Sequence, residues 1–232
     1  DEHYLRAVVE VLHEICKPWP SIEQLVLKDE KQRKFMALFP AEQFPNLRTL
    51  HLTHREEPID QGSFLEAHGK NLTTLHLTFV FSATSHRVTS VPEYLHHVAK
   101  SCPNLKEIHW SWESEMIYWR GRLPPVVDAE SSSIPTLGIA VLGVEFMSHQ
   151  LHKAIAGAFF EAALTWLGRK EFPRLQTFRF ISEVNVVHLQ TNHGMRLAKF
   201  LWKCTSLGFV VEDQLGRQMN DITSTLQTCI TG

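Results

Sequence analysis

A short phrase recurs along the chain and restricts what it can fold into. It reads Pro20-Ser-Ile-Glu-Gln-Leu-Val-Leu27, then Pro45-Asn-Leu-Arg-Thr-Leu-His-Leu52, Lys70-Asn-Leu-Thr-Thr-Leu-His-Leu77 and Pro103-Asn-Leu-Lys-Glu-Ile-His-Trp110. A late copy is Pro173-Arg-Leu-Gln-Thr-Phe-Arg-Phe180. The anchors Leu25, Leu50 and Leu75 are 25 residues apart twice running. Self-similarity at such a period marks a repeat array, in which each unit buries its apolar face only against its neighbours.

The phrase is a strand signature, and the stretches that follow it carry helical spacing. Residues 31–38, 64–69, 91–102, 150–167, 195–204 and 215–230 are expected helices. Strand then helix, without hairpin signals, predicts an α/β fold: a curved parallel sheet with helices outside. The period resembles that of a leucine-rich-repeat solenoid. The spacing then widens. Leu75 to Ile108 is 33 residues, and Ile108 to Phe178 is 70, enough for two repeats. The intervening copy is Pro135-Thr-Leu-Gly-Ile-Ala-Val-Leu142, with the small Ala140 in the anchor slot. With a last strand at 207–211, the array has about seven irregular repeats. Residues 1–18 read as an N-terminal capping helix and 213–232 as a C-terminal one.

The balance of residues narrows the function classes. The net charge is −2, without the basic stripe of a nucleic-acid binder. No apolar run approaches the roughly 20 residues that cross a bilayer. Four cysteines include no Cys-x-x-Cys pair. Cys102 and Cys204 open repeats three steps apart, about 14 Å by strand spacing, too far for a bridge. Reduced thiols point to a cytoplasmic or nuclear setting. The sequon Asn71-Leu72-Thr73 points instead to secretion, but Asn71 fills the repeat's own Asn-Leu slot.

Alternate residues of a strand face opposite ways. With Leu50 and Leu52 inward, Thr49, His51 and Thr53 face out. The same parity exposes Thr74 and His76, then Glu107 and His109, then Thr177 and Arg179. His51, His76 and His109 thus form one row with neighbours about 5 Å apart. A flat row does not converge tetrahedrally, so contact with a partner is expected and a metal is not. Trp112 and Trp119 lie where the period breaks and suit binding anchors. Carboxylate pairs Asp29-Glu30 and Glu56-Glu57 read as polar loops, and His54, His149, His152 and His188 fall in or near loops. No strained nucleophile turn, His-Glu-x-x-His, phosphate-cradling glycine loop or dinucleotide fingerprint is present. A non-enzymatic protein-binding scaffold without cofactor is therefore the expectation.

The phrases Phe44-Pro-Asn-Leu-Arg-Thr-Leu-His-Leu52 and Ser101-Cys-Pro-Asn-Leu-Lys-Glu-Ile-His-Trp110, with Phe172-Pro-Arg-Leu-Gln-Thr-Phe-Arg-Phe180, resemble the irregular repeats of fungal F-box-type proteins. The resemblance covers residues 16–212. It implies that the repeats hold a substrate for a ubiquitin-ligase scaffold, which would be engaged by a module that this sequence does not contain. Two other readings stay open. The 113–133 insertion, rich in Pro, Gly and Ser, could act as a lid over a small ligand or catalytic site. A secreted effector or defence protein would carry glycan on Asn71.

Overall fold

The computed structural model describes residues 2–15, 17–55, 63–81, 97–114, 136–143, 157, 159–161, 163–167, 172–181 and 183–219. Every copy of the phrase is a strand. They are β1 (Gln24–Leu27), β2 (Thr49–Arg55), β3 (Thr74–Phe81), β4 (Glu107–Ser114), β5 (Ile139–Gly143), β6 (Thr177–Phe180) and β7 (Val210–Glu212). Together they make one seven-stranded sheet in sequential order, with every pairing parallel. The protein is therefore α/β.

The register follows the phrase. Leu25, Leu50, Leu75, Ile108, Ala140, Phe178 and Val211 are successive cross-strand partners, so the small Ala140 does hold the anchor of β5. The same hydrogen bond opens five successive pairings: two consecutive N–H groups share one carbonyl of the preceding strand, at Glu23, Arg48, Thr73, Lys106 and Gly138. The asparagines of the phrase reinforce this stacking. Asn46 Nδ2 donates to the carbonyl of Pro20 and Asn104 Nδ2 to that of Lys70, each at 2.8 Å. On β5 the Thr136 hydroxyl takes over, donating to Pro103 and Leu105.

One sheet face carries the buried apolar core. Leu50, Leu75, Ile108, Trp110, Ala140, Leu142, Phe178 and Phe180 are fully buried. Helical residues cover this face and supply the rest of the core. Val9 comes from α1 (Glu2–Ile15), and Phe64 and Leu65 come from α3 (Ser63–His68). Val98 and Ala99 belong to the helical stretch 97–101, and Phe159, Phe160 and Ala163 to 157–167. Leu189, Leu197, Phe200 and Leu201 belong to α4 (Glu183–Ser206). Leucine gives way to phenylalanine along the array. Phe160 and Phe200 stack at 4.5 Å, and Phe200 meets Phe178 edge-on.

Several local expectations need correction. Asp29 and Glu30 are a helix start rather than a loose loop. The Asp29 side chain accepts from Gln32 N–H and caps α2 (Glu30–Met36), a standard way to satisfy an orphan helical donor. His54 is the penultimate residue of β2, and His188 lies within α4 rather than in or near a loop. The helix expected from Met195 starts at Glu183, and its backbone kinks at His193 (φ −133°, ψ 22°). The strand expected from Leu207 starts at Val210, because Gly208 has φ +81° and turns the chain. That left-handed backbone favours glycine. Residues 213–219 are a turn held by the buried Asp213 carboxylate, not the start of a C-terminal helix. The rest of that expected helix, 220–232, lies outside the described residues, as do Trp119, most of the 113–133 insertion, His149, His152 and Glu56-Glu57.

The helical turn before β3 packs tightly against the end of the helical stretch that precedes β4. A Cβ on Gly69 would lie 2.5 Å from the Ser101 carbonyl oxygen and 2.9 Å from Cys102 Sγ. Gly69→Ala is expected to cost about 1–2 kcal/mol through this overlap, read as a lower urea midpoint with unchanged slope.

Candidate recognition surface on the open sheet face

The face opposite the core carries the other half of each strand. Its central row reads Val26, His51, His76, His109, Val141, Arg179 and Glu212 across the seven strands. Parallel in-register pairing brings the three imidazoles together. The rings of His51 and His76 stack at 3.7 Å with an 11° interplanar angle, and those of His76 and His109 at 3.7 Å with 20°. The expected histidine row is thus a continuous stack on three adjacent strands.

Both ends of the stack are held. Gln24 Nε2 lies 2.7 Å from His51 Nε2. At the other end His109 Nε2 donates to Glu107 Oε1 at 2.5 Å. These two side chains are 18% and 32% exposed, so the contact is only partly wet. His109 Nδ1 is buried with no hydrogen-bond partner. Hydroxyls flank the stack. Thr49 and Thr74 lie on one side, and Thr53, Thr78 and Ser111 on the other. Thr78 and Ser111 hydroxyls are 3.0 Å apart and hydrogen-bonded.

His51 and His76 resist protonation, first because burial removes the water a charged ring needs and then because a neighbouring positive ring repels it. His76, in the middle, is pushed down to about 3, first by burial, then by His109 and His51, with Glu107 opposing. Burial and His109 also lower His51. The Glu107 carboxyl is held low by the hydrogen bond from His109, against burial, with Arg179 and His76 assisting.

Arg179 does not join the histidines. Val141, buried, separates it from His109. Its Nε and Nη2 both donate to Glu212 Oε2, at 2.9 and 2.7 Å. The guanidinium of this expected contact residue is thus engaged within the sheet. Glu212 and Gln24 were not anticipated, and only the register of β1 and β7 could have pointed to them. Trp112 is on β4, opposite Phe79, inside the strand rather than at its end.

The near-parallel rings set their nitrogens side by side rather than around one point. Among the described residues no group of three His, Cys, Asp or Glu is placed to hold a metal ion. Cys102 and Cys204 are free and buried, and burial pushes both thiols up to about 12. Such thiols are poor nucleophiles at neutral pH. No described helix is long and apolar enough to cross a membrane. Comparison with protein-family models, with curated proteins and with solved structures gives no match.

Proposed function

We propose that the chain is an irregular leucine-rich-repeat solenoid whose open sheet face binds another protein without performing chemistry. The observation that carries this reading is the three-ring histidine stack bordered by hydroxyls. A half-buried polar surface held rigid by strand pairing loses little side-chain entropy on binding. The recognition residues are Thr49, His51, Thr74, His76, Glu107 and His109. Arg179 contributes through its pair with Glu212 and marks the far margin. The resemblance to F-box-type repeats supports a narrower form, in which the bound protein is a substrate presented to a ubiquitin-ligase scaffold.

The test is affinity capture from native cell extract with the wild-type chain and with His51, His76 and His109 together replaced by alanine. A partner held by the wild-type chain and lost from the folded variant is expected. Identical partners for both chains would contradict the assignment of the face.

A further inference from the structure

A second surface lies on the helical side of the sheet and uses none of the recognition residues of the open face. Between the helical stretch 157–167 and α4 the chain leaves a cleft of about 180 Å³. Its floor is apolar, made by Phe160, Leu164 and Phe200. Its rim is cationic. Arg196, Lys199 and Lys203 follow at spacings of three and four, so they fall on one side of α4 and all line the cleft. Glu161 is the one carboxylate among the lining residues.

None of these four charged side chains makes an ion pair or hydrogen bond with a described residue. This differs from the sheet, where Arg179 is paired with Glu212. Three unpaired cations around one cleft repel one another unless an anion joins them. The opposite wall contains a π-helical turn, Ala163–Leu167, which supplies Leu164 to the floor. Such turns are rare and recur at functional sites.

We infer that this cleft binds an aryl phosphomonoester. Three cations and one carboxylate sum to +2, which matches the roughly −1.5 to −2 charge of a phosphomonoester at neutral pH. Buried Phe160 and Phe200, stacked on each other at 4.5 Å, and half-buried Leu164 make an apolar floor on which a flat ring can rest. The volume is below the about 300–1,000 Å³ of pockets for drug-sized molecules, so the ligand is a single ring with its phosphate. The phosphate takes charge-assisted hydrogen bonds from Arg196, Lys199 and Lys203.

Calorimetric titration with phenyl phosphate tests this on the intact chain. Binding is expected to weaken as salt rises. Inorganic phosphate should bind more weakly, for want of the floor, and phenol more weakly still. Lys199→Gln combined with Lys203→Gln should weaken phenyl phosphate at least about tenfold, while Glu161→Gln should tighten it about threefold. Lys106→Gln, on the exposed turn before β4, is the control that should change nothing. All variants alter solvent-facing ends, and unchanged circular dichroism and melting without ligand confirm that they fold. A phosphotyrosine pentapeptide that binds tighter than phenyl phosphate assigns the group to a partner protein; equal or weaker binding assigns it to a free aryl phosphate. The inference is overturned if phenyl phosphate does not bind, if phenol binds as well, or if the double lysine variant binds unchanged.

Discussion

Trp110→Ala is expected to destabilise the protein by about 3–5 kcal/mol, the range for removing a buried large aromatic. Trp110 is fully buried at the middle of β4, flanked across the sheet by Leu77 and Leu142. It is the largest of the fully buried side chains among the described residues. Parallel neighbours on both sides cannot collapse into the void without losing their own register, so the cavity term persists. Since native domains hold only about 5–15 kcal/mol in total, much of the margin goes. Chemical denaturation of the variant checks it. A loss below about 1 kcal/mol would mean that β4 is not central to the core.

Stability should also fall with pH because of the histidine stack. His76 is pushed down to about 3 in the folded chain, while the unfolded chain titrates near 6.5. Its stabilising contribution is complete above pH 6.5. It declines as pH falls from there towards 3, since the unfolded state takes up the proton first. The limiting slope for one such group is about 1.4 kcal/mol per pH unit. Solvent screening on this half-exposed face reduces the total from about 5 to about 2–3 kcal/mol. His76→Phe keeps a ring in the stack and removes the titration. The variant should hold its neutral-pH stability and lose most of the acid-side slope. Parallel stability curves for the two chains between pH 7 and 4 would contradict the assignment.

The strand register was legible because it rests on spacing alone. Six anchors from Leu25 to Phe178 follow from the phrase, including Ala140, where the residue type itself is a poor guide. The histidine stack was legible for the same reason: in-register parallel strands leave no freedom in which residues adjoin. What spacing does not encode was missed. The helical spacing was read only from Met195, yet α4 begins at Glu183 and stays helical on both sides of a kink at His193. The Arg179 and Glu212 pair depends on two irregular repeats 33 residues apart. The cationic cleft needs helices whose mutual placement no single-strand motif reports, although Arg196, Lys199 and Lys203 do share a helical side in the sequence.

The central claim, that the open sheet face holds a partner protein, is tested most directly by site-specific photocrosslinking. A photoreactive phenylalanine analogue is placed at Thr78, beside the stack on β3, and in a second chain at Thr191, on the exposed side of α4. After irradiation in native extract, the account predicts a discrete protein adduct from position 78 that fails to form when His51 and His109 are replaced by alanine. Adducts from position 191 alone, or an adduct at 78 indifferent to the histidines, would contradict it.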